Sequence, residues 1–126
     1  MIQKENVIVI DLDGTLCEIK RRDQDYFDVA PKEEIVAKLK EYRQQGFYII
    51  IQTARNMRTF EGNLGRINAV TLKTIFAWLD QHDIPYDEVL PGRPWCGSNG
   101  FYVDDRTIRP DEFINLSLEE IEKITQ

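Results

Sequence analysis

The sequence predicts a single α/β domain over residues 1–126, built on an open parallel, Rossmann-like sheet flanked by helices. Apolar, β-branched runs alternate along the chain with segments of helical periodicity, which is typical of parallel sheets with helical crossovers. Polar residues suited to metal and phosphate follow three of the apolar runs. No interval between the runs is long enough to hold a second core.

The first strand is predicted from residues 6–12, which read NVIVIDL. Such a nearly continuous run of apolar side chains is typical of a strand that is buried on both faces. Residues 14–30 are mixed and polar, and we expect them to form a turn and a flap.

The first helix is predicted to open at Pro31, because proline suits the first helical position. Its apolar side chains recur at helical spacing at Ile35, Leu39 and Tyr42. Gly46 follows as the expected stop signal.

The middle of the chain repeats this pattern. Residues 47–53 (FYIIIQT) predict a second buried strand, and residues 54–66 predict a polar loop. A helix is predicted over 68–82, and one of its faces carries Leu72, Ile75, Phe76 and Leu79.

The last third of the chain has shorter elements. Residues 86–90 predict a third strand, 91–100 a loop rich in turn residues, and 101–103 a fourth strand. Ser117 and Glu120 have the spacing of a capping box, so a final helix is expected to begin there.

Charge and composition exclude several classes of function. The net charge is −6 and no basic stripe is present, so nucleic acid is not an expected partner. No stretch approaches the roughly 20 apolar residues of a membrane span, and the N-terminal residues do not read as a secretory signal. Cys17 and Cys96 lack metal-ligand spacing, and reduced thiols in a cytoplasmic protein are the simplest interpretation.

Polar side chains follow three of the predicted strands. In open parallel sheets, ligands bind outside the carboxyl ends of the strands, so these side chains are expected to converge on one edge. The residues are Asp11 and Asp13, then Thr53 and Arg55, then Asp104 and Asp105.

The segment from Asp11 to Thr15 carries the clearest chemical signal. Alternation along an extended chain places Asp11 and Asp13 on one side and Leu12 toward the core. Two carboxylates this close repel each other unless a cation relieves them, and Mg²⁺ prefers oxygen ligands. A carboxylate can also act as a covalent nucleophile, with the second as general acid and base. An ordinary turn would use Asp and Gly too, but a second acidic pair after another strand favours a site.

These residues resemble the motifs of the haloacid dehalogenase superfamily of phosphohydrolases. Asp11 to Leu16 is similar to the D-x-D-G-T-L motif, and Val103 to Asp105 is similar to the metal-binding motif. The resemblance implies that Asp11 is the nucleophile, Asp13 the acid/base, and Thr53 a hydrogen-bond donor to the phosphoryl group. It implies a Mg²⁺ site formed by Asp11, Asp13, Asp104 and Asp105.

The third family motif departs from the usual pattern. It normally supplies a lysine, whereas this chain reads Gly92-Arg93-Pro94. Arginine keeps the charge and can bind phosphate with two parallel hydrogen bonds, but its shape and reach differ. Lys73, on a predicted helix, is the alternative source of this charge, although a solvated lysine is the simpler interpretation there.

A closer resemblance links two stretches to very small, capless members of the superfamily. Residues 53–58 read T-A-R-N-M-R, and residues 92–110 nearly match G-K-P-W-C-G-x-x-G-F-Y-V-D-D-R-x-I-R-P. Such proteins are described as phosphatases of capsule or polysaccharide biosynthesis, which implies a small phosphorylated sugar as substrate. Contacts to phosphate or substrate are expected from Leu12, Thr53, Ala54, Arg55, Asn56, Arg58 and Arg93.

The spacing of the motifs leaves no room for a cap domain. The open site would therefore accept a large substrate, or be covered by the 55–67 loop or by a neighbouring subunit, so a homodimer or homotetramer is an open expectation. Two other functions stay open. One is a phosphosugar- or phosphoprotein-binding module disabled by Arg93, and the other is a phosphotransferase that passes the phosphoryl group to a second sugar.

Overall fold

The structure, a computed structural model, describes residues 4–126 and divides into two compact units. The first unit ends at Trp95, and the second comprises Cys96–Gln126. Every helix within residues 4–126 is too short or too polar to cross a lipid bilayer.

The first unit contains a three-stranded parallel sheet. Its strands are β1 (Val7–Asp11), β2 (Tyr48–Gln52) and β3 (Glu88–Leu90), in the spatial order β1-β2-β3. Parallel order along one direction brings the carboxyl ends of all three strands to the same edge. The predicted α/β class is therefore confirmed.

Helical segments connect these strands. They are a 3₁₀ turn (Tyr26–Asp28), α1 (Glu33–Gln44), α2 (Leu64–Arg66), a π-helical turn (Ile67–Thr71) and α3 (Leu72–Gln81). The described intervals between the strands hold only the flap, these helices and their loops, so no cap domain is inserted there.

Two helix boundaries differ from the sequence prediction. Lys32 caps α1 and the helix begins at Glu33, while Pro31 forms an isolated bridge with Cys17. The second helical region begins at Leu64 rather than 68, because the Asn63 side chain accepts a hydrogen bond from the Arg66 N–H at 3.1 Å.

The two faces of the sheet differ in burial. One face packs into the core, and its fully buried side chains include Leu12, Ile49 and Ile51. On the other face Val7, Val9 and Leu90 expose 37%, 58% and 44% of their surface. The prediction that residues 6–12 form a strand buried on both faces is therefore wrong for one face.

The second unit contains α4 (Pro110–Asn115) and α5 (Leu118–Ile124). The predicted capping box is present, since Ser117 accepts from the Glu120 N–H at 3.2 Å and Glu120 accepts from the Ser117 N–H at 2.9 Å. Sequence analysis did not predict α4. The predicted fourth strand at 101–103 is wrong, because these residues belong to none of the strands of the described sheet.

Candidate active site

The first unit gathers three of the predicted groups at the carboxyl edge of its sheet. Asp11 ends β1, Thr53 follows β2, and Arg93 follows β3. Backbone hydrogen bonds continue the sheet past its strands, from Thr53 N–H to Leu90 O at 3.0 Å and from Arg93 N–H to Thr53 O at 3.1 Å. These bonds fix the spacing of the three groups.

A tight turn follows β1 and positions both aspartates. The Leu12 carbonyl accepts the N–H groups of Thr15, Leu16 and Cys17 at 3.1, 2.9 and 3.2 Å. The turn also needs a positive φ at Gly14 (85°), which favours glycine. Leu12 itself is fully buried, so the core anchors the turn.

Asp11 lies half-buried between a cation and another anion. Its Oδ1 is 3.5 Å from Arg93 Nη1, and its Oδ2 accepts from the Thr15 hydroxyl at 3.4 Å. Burial raises the pKa of Asp11, and repulsion by Asp13 adds to this, against the lowering effects of the Leu12 N–H, Arg93 and Thr15. The carboxylate is thus stabilised less well than in water, and a nearby cation would offset the difference.

Asp13 forms a two-point ion pair with Arg55. Arg55 Nε donates to Asp13 Oδ2 at 3.1 Å, and Nη2 donates to Oδ1 at 2.8 Å. The Arg55 side chain is only 3% exposed, and the Tyr26 ring lies 4.1 Å from its guanidinium carbon. The Arg55 N–H donates to Thr53 Oγ1 at 3.0 Å, which ties the pair to the end of β2.

This pairing differs from the expected substrate contact of Arg55. The guanidinium is committed to Asp13 rather than turned to solvent, and Tyr26 was not singled out in the sequence. A signal was present, however. Asp13 and Arg55 have opposite charges and follow neighbouring strands that are in register from Val7↔Tyr48 to Asp11↔Gln52. That signal can be read only once the strand order is known.

Cys17 lies against the same aspartate. Its thiol is fully buried, and its single hydrogen has two acceptors within reach, Leu12 O at 3.6 Å and Asp13 Oδ1 at 3.5 Å. Burial and the Asp13 charge raise the pKa of Cys17 to about 12. The thiol is therefore neutral near pH 7 and is not a nucleophile.

The loop after β2 places the other predicted contacts differently. Asn56 accepts a hydrogen bond from the Thr71 hydroxyl at 2.6 Å, which holds its backbone at a positive φ of 64°. Arg58 is exposed, and its guanidinium carbon lies 5.1 Å from the Trp95 ring centre. Both side chains thus organise or cover the loop.

Two further residues from the sequence analysis, Ala54 and Lys73, can be placed in the structure. The half-buried Ala54 uses its carbonyl to accept the Met57 N–H at 3.0 Å. Lys73 is exposed on α3, whereas Arg93 lies beside Asp11. Arg93 is therefore the cation that the structure pairs with Asp11.

Within residues 4–126 no group of three or more acidic, histidine or cysteine side chains is found that could hold a metal ion. Asp104 and Asp105 are exposed in the second unit, and Asp104 Oδ1 accepts the Arg106 N–H at 2.8 Å. Asp11 offers a carboxylate and Asp13 a backbone carbonyl, which are oxygen donors of the kind Mg²⁺ binds. The type of these donors in the first unit therefore fits Mg²⁺.

Comparison with known proteins identifies the family. The model of haloacid dehalogenase-like hydrolases matches residues 8–86, which contain Asp11, Asp13, Thr53 and Arg55. The chain belongs to this family. Haloacid dehalogenase-like hydrolases generally use Mg²⁺, which agrees with the oxygen donors at the edge of this sheet.

Solved structures agree with this assignment. A crystal structure of an MCSG target from Vibrio cholerae is 51% identical, covers 96% of this chain and 97% of its own, and has a TM-score of 0.91. A structure of the Pnkp1/Rnl/Hen1 complex is 23% identical, covers 88% of this chain and 34% of its own, and has a TM-score of 0.51. The second likeness shows the fold alone. No curated protein matches this haloacid dehalogenase-like hydrolase.

Proposed function

We propose that this protein is a Mg²⁺-dependent phosphomonoester hydrolase that forms an aspartyl phosphate on Asp11. One observation carries the proposal: Asp11 lies beside Arg93 while Asp13, two residues on, is held by Arg55. A nucleophile and an acid/base must differ in environment to perform different tasks. The two carboxylates differ in this way.

In the first step Asp11 attacks phosphorus in line with the leaving oxygen. Arg93 binds the phosphoryl oxygens, where negative charge accumulates. Thr53 Oγ1 accepts the Arg55 N–H, which leaves its own hydrogen to donate to a phosphoryl oxygen.

Asp13 moves the protons in both steps. Asp13 enters the first step protonated and gives its proton to the leaving oxygen as the P–O bond breaks. The resulting carboxylate then takes a proton from the water that attacks the aspartyl phosphate, which restores the protonated form. That water releases inorganic phosphate and restores Asp11. Arg55 acts through Asp13, because two hydrogen bonds hold both carboxylate oxygens in one plane.

Asp11 and the Asp13 backbone carbonyl would hold the Mg²⁺ ion in the first unit. Bound there, Mg²⁺ would screen the repulsion between the anionic nucleophile and the anionic phosphate. Burial raises the pKa of Asp11, so a positive charge beside it also favours the ionised, nucleophilic form.

The proposed substrate is a small phosphorylated sugar of polysaccharide biosynthesis, in a cytoplasmic protein. Support comes from the resemblance of residues 53–58 and 92–110 to the small capless phosphatases. Trp95, two residues after Arg93, is 45% exposed and provides an aromatic face of the kind on which sugar rings stack.

Phosphate release from a panel of sugar phosphates, nucleotides and a phosphopeptide tests the proposal, with Mg²⁺ and with chelator. We expect Mg²⁺-dependent release that Asp11→Asn lowers by at least about 10³-fold, since nucleophile loss typically has effects of this size. Asp80→Asn is the matched control, because Asp80 is exposed and bonds only to Tyr86 outside the site.

Two outcomes would contradict parts of the proposal. Mg²⁺-dependent turnover in folded Asp11→Asn protein would remove Asp11 as nucleophile. Phosphate binding without release from any substrate would favour the non-catalytic binding module, and transfer to an added sugar acceptor would favour a phosphotransferase.

A further inference from the structure

The flap (residues 14–30) returns to its own start before α1 begins. The Glu18 N–H donates to Ala30 O at 2.9 Å, and the Lys32 N–H donates to Leu16 O at 2.8 Å. These two backbone bonds hold the two ends of the flap together beside the end of β1. The residues between them therefore form a closed loop whose position is fixed at both ends.

A buried side chain of α3 anchors the returning arm of the flap. The Trp78 indole N–H donates to Val29 O at 2.8 Å, and both residues are 2% exposed. The 3₁₀ turn Tyr26–Asp28 directly precedes Val29, whose N–H donates to Tyr26 O at 3.4 Å. Breaking a buried hydrogen bond leaves its carbonyl unsatisfied, so the bond from Trp78 holds this turn in place.

The Tyr26 side chain connects this turn to the proposed acid/base group. The centre of its ring lies 4.1 Å from the guanidinium carbon of Arg55, within the range of a cation–π contact. The same guanidinium donates two hydrogen bonds to Asp13, and its side chain is only 3% exposed. Without the ring, water would reach the guanidinium and compete for the N–H groups that now bond to Asp13.

We propose that Tyr26 is a positioning residue for the reaction, which acts through Arg55 on the orientation of Asp13. The ring shields the guanidinium from water and keeps it against the carboxyl group. A misplacement of about 1 Å at a reacting group lowers rates by on the order of 10²-fold. The catalytic part of this role rests on the proposed function, in which Asp13 protonates the leaving oxygen, whereas the contact between Tyr26 and Arg55 does not.

The rates of two Tyr26 variants on two substrates are the first test. On β-glycerol phosphate, whose alkoxide leaving group needs a proton, Tyr26→Leu should lower kcat about tenfold and leave KM within about twofold. On para-nitrophenyl phosphate, whose leaving group is stable as an anion, the same variant should lose less than about threefold. Tyr26→Phe keeps the ring and should stay within about twofold of wild type on both substrates.

A neighbouring residue provides the matched control. Phe27 lies in the same 3₁₀ turn and is 40% exposed. Phe27→Leu makes the same kind of change without removing a ring from Arg55, so its rates should stay within about twofold of wild type.

Trp78→Phe tests the same connection from its far end. This variant loses the indole N–H that bonds to Val29 O, yet it leaves Tyr26 and Arg55 unchanged. It should lower kcat about threefold on β-glycerol phosphate and less on para-nitrophenyl phosphate, because the turn that carries Tyr26 loses its anchor. It carries the same comparison should Tyr26→Leu fail to fold.

Hydrogen exchange of the Arg55 Nε–H provides a readout that needs no turnover. This group donates to Asp13 Oδ2 at 3.1 Å from a nearly buried side chain, so nuclear magnetic resonance should show slow exchange with water. Tyr26→Leu should accelerate the exchange at least about tenfold, whereas Tyr26→Phe and Phe27→Leu should leave it unchanged.

The outcomes separate the two proposals. An unchanged kcat of Tyr26→Leu on β-glycerol phosphate, an equal loss on both substrates, or a rise in KM alone would overturn the positioning role. Unchanged exchange of the Arg55 Nε–H in Tyr26→Leu would overturn the contact on which that role depends. A wild-type protein that releases no phosphate from any substrate of the panel would overturn the hydrolase, while faster exchange in Tyr26→Leu alone would still support the contact.

Discussion

At the scale of single residues, the site separates two neighbouring aspartates by their partners. Asp11 has one cation at 3.5 Å and a weak hydroxyl contact, while Asp13 receives two hydrogen bonds from a buried arginine. The Asp11 carboxylate is therefore held less tightly, whereas that of Asp13 has a fixed orientation. This difference suits the roles that are proposed for them, attack by Asp11 and proton transfer by Asp13.

The arginine that holds Asp13 gives a prediction. Arg55→Lys keeps the charge but loses the two parallel hydrogen bonds, so kcat should fall by about 10- to 100-fold with little change in KM. Arg55→Met should lose more, because it leaves the Asp13 charge unpaired. The pH profile of kcat should shift in both variants. Equal effects on kcat and KM would indicate instead that Arg55 binds substrate.

The raised pKa of Asp11 predicts an effect on the stability of the fold. In the folded protein the pKa of Asp11 is raised, so ionisation above the unfolded value of about 3.9 costs folding free energy. Asp11→Asn removes this cost. Without metal, its Tm should exceed that of wild type by a few degrees at pH 7.

The same difference should vanish below about pH 3.5, because both residues are then neutral in both states. Thermal melts with chelator from pH 3 to pH 8 provide the measurement. A variant less stable than wild type across that range would show that the Arg93 contact outweighs burial.

At the scale of elements, a side chain outside the sheet edge joins two strands. Asp87 Oδ2 accepts the Ile49 N–H of β2 at 2.8 Å and receives Arg43 Nη1 of α1 at 2.8 Å. Burial acts to raise the pKa of Asp87, but the Ile49 and Arg43 hydrogen bonds outweigh it and lower the pKa. Asp87 therefore links β2 and α1 to the start of β3.

The hydrogen bonds of Asp87 predict that stability depends on pH in the opposite sense from the effect of Asp11. Asp87→Asn should destabilise the protein by about 1 kcal/mol at pH 7, the usual net value of such bonds. Because the folded pKa is lowered, this stabilisation exists above the unfolded value and is lost as pH falls through the folded value. Denaturant melts at pH 7 and pH 3 measure it.

A matched control is available for this variant. Asp83 is 98% exposed at its side chain and lies 3.9 Å from Lys40, so Asp83→Asn should change stability by less than about 0.5 kcal/mol. If the two variants were equally destabilised, the Ile49 bond would contribute nothing specific.

The elements themselves were largely predictable from the sequence. The strands at Val7–Asp11 and Tyr48–Gln52 follow from apolar runs, and α5 follows from its capping box, because these signals are local. The shift of the second helical region to Leu64 depends on the Asn63 cap, a single hydrogen bond that the periodicity does not contain.

At the scale of the whole chain, prediction fails where partners are distant in sequence. The Arg55–Asp13 pair spans 42 positions, so the sequence presents two unrelated charged residues until the sheet brings them together. The uncovered face of β1 is a similar case. The apolar run NVIVIDL indicates that both faces of the strand can be buried, but it does not indicate which residues would cover them.

The division into two compact units predicts a site of cleavage. Ser98, Asn99 and Gly100 are exposed at the start of the second unit, so limited proteolysis with a low-specificity protease should first cut within residues 96–100. Mass spectrometry of the first fragments measures this. First cleavage in the 54–63 loop would show instead that the linker is protected.

The edge position of β1 in the described sheet has a practical consequence for truncated forms of the chain. A fragment that ends at Trp95 keeps β1 with its exposed Val7 and Val9. Identical open edges can pair with one another in a manner that does not close, and such contacts propagate into insoluble aggregates. Expression trials of the isolated first unit should therefore yield inclusion bodies, and a charged residue at Val9 should return the fragment to solution.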